Sequence, residues 1–265
     1  MSKQYETIRC TVDARGVATV ELNRPDVYNA FDETMIVELT ACFGEVSTSP
    51  SVRVVVLASV GKVFCAGADL NWMRRASANT PEANRADAQR FAAMMEAIYR
   101  CPRPVVARVQ GSAFGGGVGL ICAADIVVAS EQARLSVTEA RFGILPAVIG
   151  PYLVEAVGAR AARALALTAA QIDAAQAHII GLVQHVSTAE ALNDQVNTVI
   201  GQLLTNGPNA QAEIKNLFAA ICGRPIDADV NALTAATIAR VRATDEAREG
   251  FAAFFDKRPA AWSKS

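Results

Sequence analysis

The chain has 265 residues, of which 52% are hydrophobic and 19% are charged, and its formal net charge is -1. So high an apolar share excludes a chain that is disordered throughout. The charge balance lacks the basic excess of nucleic-acid-binding domains, so we expect no nucleic-acid partner. The longest apolar stretches, 115–129 and 142–158, contain Asp125 and Glu155 and fall short of the roughly 20 apolar residues of a spanning helix. We therefore expect no membrane segment.

The N-terminus and the cysteines indicate where the protein works. The first six residues show no charged stretch followed by an apolar core, so we expect no signal peptide and a cytoplasmic location. The cysteines are scattered without a C-x-x-C pair, which favours buried reduced thiols over disulfides or metal ligands. His178 and His185 have no acidic residue between them, so we expect no metal site.

The chain begins with a predicted hairpin and a helix. Residues 7–12 and 17–22 alternate in polarity on either side of the turn at 13–16, a pattern typical of a β-hairpin. Helical spacing follows over 32–44, with Asp32 as the expected N-cap.

Strands and helices then alternate. A helix is expected after Gly115, and short continuous apolar runs predict strands buried on both faces at 53–58, 104–109 and 126–129. This alternation predicts an α/β layered core.

The composition changes from about residue 158, where alanine becomes frequent and strand signals fade after Val183. Apolar stripes predict helices over 190–204, 209–222 and 229–255. We therefore divide the chain into a core, residues 1–195, and a C-terminal helical region, residues 196–265. The stripe within 238–255 fits either ordinary core packing or an oligomer interface.

Two glycine-bearing turns, 61–70 and 111–120, each follow a predicted buried strand. Glycine allows a backbone to approach a ligand closely, and the first N–H groups of a helix are unpaired and lie at its positive end. Two such N–H groups from separate turns would form an oxyanion hole. The alternative is tight helix-on-sheet packing. A dinucleotide site is disfavoured, because Leu120 stands where the last glycine of G-x-G-x-x-G belongs.

Glu139 is a carboxylate within an otherwise apolar stretch. Burial raises the pKa of a carboxyl group and suits it to proton transfer. The alternatives are a solvated glutamate near a helix end and an ion pair with Arg141.

Taken together, these segments resemble the enoyl-CoA hydratase/isomerase (crotonase) family over almost the whole chain. The matching residues, in order, are Leu22-Asn23-Arg24-Pro25, Asn29-Ala30-Phe31, Phe64-Cys65-Ala66-Gly67-Ala68-Asp69-Leu70, Gly115-Gly116-Gly117 with Asp125-Ile126, Glu139 with Gly143-Ile144-Leu145-Pro146, Gly181-Leu182-Val183, and Phe254, Phe255, Lys257 and Arg258. The resemblance implies an α/β spiral of β-β-α units with C-terminal helices that mediate trimerisation, often into a dimer of trimers.

The resemblance also implies an acyl-CoA thioester substrate whose enolate the enzyme stabilises, with coenzyme A as part of the substrate and no separate cofactor. The implied oxyanion donors are the backbone N–H groups of Ala68 and Gly116, and Glu139 is the implied acid/base. The implied substrate- and CoA-binding residues are Lys62, Ala66, Asp69, Leu70, Gly119, Phe254 and Lys257, the last two often reaching a neighbouring subunit's site.

The chain departs from the family pattern at Gly119, where two-carboxylate hydratases have a glutamate. Gly119 lies on the same helical face as Gly116 and, as a glycine, is expected to leave space beside the oxyanion hole. Asp125 is too far around the helix to substitute for that glutamate. A single Glu139 is compatible with hydration or with double-bond isomerisation, and a non-catalytic acyl-CoA-binding protein is the third possibility.

The segment 146–152, together with Gly119, resembles bacterial methylglutaconyl-CoA and carboxygeranoyl-CoA hydratases. This resemblance implies a branched substrate with a distal carboxylate, from leucine or acyclic terpene breakdown. Arg74, Arg75 or Arg141 would meet that carboxylate.

Overall fold

A computed structural model describes residues 4–263. Residues 1–3, on which the expectation of no signal peptide partly rests, lie outside the described part of the chain. Within it the strands are β1 (Ile8–Val12), β2 (Val17–Leu22), β3 (Val54–Ser59), β4 (Val105–Val109), β5 (Ala113–Phe114), β6 (Ile126–Ser130), β7 (Arg134–Ser136), β8 (Ile172–Asp173) and β9 (His185–Ser187).

The helices of the same residues are α1 (Glu33–Thr48), α2 (Leu70–Ala76), α3 (Pro81–Tyr99), α4 (Gly116–Cys122), α5 (Gly150–Thr168), α6 (Ala174–Ile179), α7 (Leu192–Leu204), α8 (Pro208–Ile221), α9 (Ala228–Arg242) and α10 (Asp245–Phe255). Two 3-10 turns, Pro25–Val27 and Glu139–Phe142, complete the regular structure of the described chain.

The larger sheet has the order β1-β2-β3-β4-β6-β9. The predicted hairpin is confirmed, because β1 and β2 pair antiparallel with Ile8 opposite Leu22. All other neighbours in this sheet are parallel. Every residue of β3 is buried, as the continuous apolar run at 53–58 predicts for a strand covered on both faces. The α/β class is therefore confirmed.

Helices cover both faces of this sheet. On one face α1 packs its buried residues, among them Leu39 and Phe43, into the main core. Asp32 begins this helix as predicted, since its side chain accepts a hydrogen bond from Met35 N at 3.0 Å. On the other face α7 packs Val196, Val199 and Ile200 against β3, β4 and β6.

This packing bears on the predicted division of the chain. Residue 195 lies inside α7, and α7 belongs to the layer that covers the sheet. The C-terminal helices that follow are α8, α9 and α10.

The predicted helix over 229–255 is wrong as a single element. The chain leaves α9 after Arg242, and Thr244 caps α10 by accepting a hydrogen bond from Ala247 N. Strand β9 also follows Val183, where no further strand was expected.

Within residues 4–263 no helix combines the length and the apolar character needed to cross a bilayer. The same part of the chain contains no cluster of three or more potential metal-ligating side chains. The ring of His178 is hydrogen-bonded through Nδ1 to the carbonyl of Val183 at 2.8 Å.

Candidate active site

Two turns lie side by side at the carboxyl ends of β3 and β4. Phe64 N donates to Ser112 O at 2.9 Å, and Phe114 N donates to Cys65 O at 3.0 Å. Cys65 and Ala113 form a parallel bridge. Ala68 and Gly116 each come three residues after a member of that bridge, so the parallel register brings them level with each other.

The glycines of these turns allow the two backbones to come into contact. Gly67 has φ +89°, and a Cβ placed on it would lie 2.7 Å from Phe114 O and 3.7 Å from Gly116 N. A Cβ on Gly117 would lie 2.5 Å from Cys65 O. A side chain at either position would force the turns apart. The glycines therefore serve close packing and, by the same contact, place two backbone N–H groups together.

Both candidate donors are unpaired among the described residues. Gly116 is the first residue of α4, so its N–H has no partner within the helix. Ala68 lies beside Phe31, which donates to Gly67 O and accepts from Asp69 N. Because successive N–H groups of an extended chain point in opposite directions, the N–H of Ala68 faces away from Phe31. Two free N–H groups from neighbouring turns are the arrangement that an oxyanion hole requires, which makes this pair the candidate.

An ion-pair network fixes the segment that carries Ala68. Asp69 caps α2 by accepting from Asn71 N at 2.8 Å, and its other carboxylate oxygen lies 3.1 Å from Arg24 Nη2. The same guanidinium lies 3.1 Å from Asp32 Oδ2 and also donates to Ala30 O. Asp69 is only 6% exposed. The carboxylate is therefore occupied by the helix cap and by Arg24, and it positions the neighbouring Ala68 N–H; a contact between Asp69 and substrate stays a prediction.

Glu139 stands next to this pair of turns, at the start of the 3-10 turn that follows β7. A Cβ placed on Gly115 would lie 3.3 Å from Glu139 Oε1, so the carboxyl group abuts the residue that precedes the donor Gly116. Glu139 Oε2 is buried and has no hydrogen-bond partner among the described residues. Arg141 instead donates to Ala169 O at 2.5 Å, so the alternative of a Glu139–Arg141 ion pair is wrong.

Burial raises the pKa of the Glu139 carboxyl group above its usual value, and the backbone N–H groups of Glu139 and Thr138 offset only part of that rise. A raised pKa brings the carboxyl closer to equal acid and base populations at neutral pH. A buried carboxyl group with one unpartnered oxygen, next to the turn that carries the Gly116 N–H, is suited to moving a proton at a carbon next to a bound carbonyl.

The structure contradicts the expectation that Gly119 leaves space for substrate. Gly119 is buried, and a Cβ placed on it would overlap Ile149 Cγ2 and lie 2.9 Å from Ile149 Cβ and 3.4 Å from Met95 Cε. Ile149, 1% exposed, therefore fills the position. The sequence drew attention to 146–152 without indicating that Ile149 packs on Gly119, because thirty residues separate the two.

An aromatic cluster covers the other end of this helical face and was also missed. A Cβ on Gly116 would overlap the Phe31 ring and lie 3.2 Å from Phe91 Cζ. The ring of Phe31 has its centroid 5.0 Å from that of Phe91 and 5.9 Å from that of Trp72. The motif containing Phe31 was a signal for this cluster, but Trp72 and Phe91 carried no comparable pattern.

The remaining predicted ligands lie at the periphery. Lys62 and Leu70 are exposed, and the Ala66 N–H donates a hydrogen bond to Tyr28 O at 3.0 Å. Phe254 and Lys257 are exposed at the end of α10, and neither makes a hydrogen bond or ion pair with the glycine turns among the described residues.

Of the guanidinium groups expected near a distal carboxylate, Arg75 is engaged by both oxygens of Glu33. Arg141 is occupied by the Ala169 carbonyl. Arg74 has a single long contact, 3.4 Å from Asn71 Oδ1.

Asp125 has a structural role away from this site. Its Oδ2 lies 2.6 Å from Lys215 Nζ and accepts from Val105 N at 2.7 Å. The pair joins α8 to the start of β4, the end of the strand away from the glycine turn. Asp125 therefore does not replace a glutamate at 119.

Comparison with known proteins agrees with this geometry. Residues 13–265 match the family described as enoyl-CoA hydratase/isomerase. A crystal structure of an enoyl-CoA hydratase from Shewanella pealeana has a TM-score of 0.94 and 39% identity, covering 98% of this chain and 97% of that one. An enoyl-CoA hydratase structure from Mycobacterium smegmatis has a TM-score of 0.92 and 34% identity, covering 98% and 100%.

A crotonyl-CoA hydratase from Syntrophomonas wolfei is 32% identical over 263 residues, 97% of each chain. The chain belongs to the enoyl-CoA hydratase/isomerase family, and its fold is the α/β fold of crotonases. An acyl-CoA substrate follows from membership of that family.

Proposed function

We propose that the protein hydrates a 2-enoyl-CoA thioester with Glu139 as its single acid/base. The observation that carries this proposal is the Glu139 carboxyl group: one oxygen is unpartnered, and the other abuts Gly115, the residue before the donor Gly116. The thioester oxygen would accept from both N–H groups, which stabilise the charge that develops there. The names of the hydratases to which the chain is similar support the same reaction.

One carboxylate is enough to balance the reaction. As the water oxygen bonds to the β-carbon, ionised Glu139 takes the proton that the water loses, and the π electrons of the double bond pass into the enolate. The enolate then collapses, and Glu139 returns the proton to the α-carbon. Both additions occur from the side of Glu139, so the product is that of syn addition. A raised pKa suits a group that accepts and donates in one cycle.

Double-bond isomerisation is the second candidate, and the filling of Gly119 by Ile149 favours it. Without a second carboxylate to hold the water, Glu139 would remove a proton from one carbon of a 3-enoyl thioester and return it two carbons away. The oxyanion hole stabilises the same enolate in both reactions.

The finer substrate assignment rests on the resemblance to methylglutaconyl-CoA hydratases. Space beside Gly119 for a branch of the substrate no longer supports this assignment, because Ile149 occupies that volume. Arg74, exposed and weakly held, is the guanidinium left for a distal carboxylate.

We further propose a homotrimer or a dimer of trimers, in which Phe254 and Lys257 of one subunit reach the coenzyme A portion bound by another. Phe254 is 77% exposed in the single chain, and Phe251 and Phe255 beside it are also exposed. Lys62 would meet the phosphates of the same molecule. No cofactor beyond the coenzyme A of the substrate enters this scheme.

The test is incubation in D₂O with 2-enoyl-, 3-enoyl- and 3-methylglutaconyl-CoA, followed by mass analysis of the products. Addition of water to a 2-enoyl substrate, lowered about 100-fold or more by Glu139→Gln, is the expected result. Glu131→Gln, at an exposed carboxylate on the preceding turn, is the matched control and should retain full rate. Migration of the double bond without water would assign the isomerase. Binding of CoA esters without turnover or deuterium exchange would contradict both.

A further inference from the structure

The glycine-bearing face of α4 is covered by apolar side chains from three other segments. Gly116 and Gly119 are three residues apart and therefore share a face of this helix. Phe31 and Phe91 pack on Gly116, and Ile149 and Met95 pack on Gly119. A side chain at 119 would thus project beside the Gly116 N–H, on the side where the thioester carbonyl is expected.

Ile149 is the residue that closes this position. A Cβ at 119 overlaps its Cγ2 and lies 2.9 Å from its Cβ, whereas the Met95 contact, at 3.4 Å, is to the end of a flexible side chain. Ile149 stands at the N-cap of α5 and is held there by Leu153 N, which donates to Ile149 O at 3.0 Å. A branched residue fixed at a helix start has little freedom to move aside.

We propose that Ile149, packed on Gly119, is the specificity-determining residue of the site: it excludes a second carboxylate and water from this side of the oxyanion hole, so that Glu139 carries every proton transfer. This inference rests on the proposed function, since it names the residue that limits the site to one acid/base. It predicts that removing the Ile149 side chain opens the position to a second carboxylate.

A purely structural role for Ile149 would affect stability alone. An ordinary core residue, when truncated, costs stability without changing which product is formed. If Ile149 excludes a carboxylate, removing its side chain while placing a glutamate at 119 should also raise the ratio of water addition to deuterium exchange at the α-carbon. The two roles therefore differ in a readout other than stability.

The experiment is a double-mutant cycle with Gly119→Glu, Ile149→Ala and both together. Thermal midpoints and the hydration-to-exchange ratio on 2-enoyl-CoA in D₂O are measured for each protein. Gly119→Glu alone should lower the midpoint by about 5 °C, because it overpacks a filled position. In the Ile149→Ala background the same substitution should cost almost nothing, and the ratio should rise about tenfold through the added carboxylate.

Leu153→Ala combined with Gly119→Glu is the matched control. Leu153 lies on the same helix and is as buried as Ile149, but it is not among the nearest contacts of a Cβ at 119. Its effect on the midpoint should add to that of Gly119→Glu, and the ratio should stay unchanged.

The outcomes separate this inference from the proposed function. A midpoint that Gly119→Glu leaves unaltered overturns the role of Ile149, and so does a double variant whose hydration-to-exchange ratio does not rise, even if its midpoint recovers. If the natural chain proves inactive on every substrate, the proposed function fails. The specificity role of Ile149 then falls with it, and a recovered midpoint in the double variant shows only that Ile149 fills the position beside Gly119. If the natural chain is active but the ratio of the double variant does not rise, the inference alone fails.

Discussion

Asp69 offers the sharpest test of how the Ala68 N–H is positioned. Its carboxylate accepts from Asn71 N and Trp72 N and pairs with Arg24, which also holds Asp32. Replacing Asp69 with alanine removes both the helix cap and one of the two carboxylates on the guanidinium. Asp69→Asn keeps an oxygen for the cap and removes only the charge.

The magnitudes follow from those contacts. Loss of a helix cap costs about 1 kcal/mol. Loss of a hydrogen-bonded charged partner costs about 1.5–3 kcal/mol, and the Asp69 side chain is nearly buried at 8% exposure, against 22% for Arg24. We therefore expect Asp69→Ala to lower the free energy of unfolding by about 3 kcal/mol, and Asp69→Asn by about 2 kcal/mol. Because Ala68 precedes the cap, both should reduce kcat/KM about tenfold.

The stability that Asp69 contributes should depend on pH, and the shift of its pKa gives the direction. Burial would raise the pKa of Asp69, but the two N–H groups and Arg24 outweigh it and hold that pKa below its usual range. A lowered folded-state pKa contributes stability above the unfolded value of about 4, and that contribution is lost as the pH falls through the folded value. The difference between the natural chain and Asp69→Asn should therefore be full at pH 7 and shrink below about pH 4.

Urea unfolding at several pH values measures this difference, with exposed Asp26→Asn as the control for a lost surface charge. A loss below about 0.5 kcal/mol at pH 7, or one of equal size at pH 3, would refute the positioning role.

Three further predictions concern other parts of the molecule. Glu139→Gln should raise the thermal midpoint at pH 7 but not at pH 4. Burial raises the folded-state pKa of Glu139, so the ionised carboxyl group destabilises the fold above the unfolded-state pKa. A variant with the same midpoint as the natural chain at both pH values would contradict this. Lys215→Met should cost about 1–3 kcal/mol in urea unfolding at pH 7, since it leaves Asp125 without its cation, and Lys215→Met with Asp125→Asn should recover part of the loss. Gly67→Ala should abolish most activity and lower the thermal midpoint, because Gly67 has φ +89° and a Cβ there would lie 2.7 Å from Phe114 O. Ala68→Ser should retain activity, because only the backbone of residue 68 is used. A fully active Gly67→Ala variant would disprove the close contact.

Local signals predicted much of the fold. The alternation on either side of 13–16 predicted the hairpin, and Asp32 predicted the start of α1, because a cap and a two-residue period act within a few residues. Helix α3 was not predicted. Its buried residues, Met94, Met95 and Ile98, all lie in its last third, so most of the helix has no apolar stripe.

Long-range packing accounts for what the sequence could not indicate. The break between α9 and α10 is marked only by the Thr244 cap, which an apolar stripe running over 229–255 conceals. The glycine turns and Glu139 were recognisable as candidates, but the occupation of Gly119 by Ile149 is a contact between distant segments. A glycine in a sequence shows that a side chain is missing, and only the tertiary structure shows what fills its place.

The two glycine turns are aligned by their strand register. The number of residues between that register and each N–H donor therefore matters more for this site than the side chains of those residues. The Cys65–Ala113 bridge sets Ala68 level with Gly116 through two intervals of three residues. Deleting one residue from either interval would move a donor by about 3.3 Å, more than the length of a hydrogen bond. Substitution at 68 leaves both intervals intact. Variants that retain activity should therefore include changes of residue type at 68, but no single-residue insertion or deletion between the bridge and either donor.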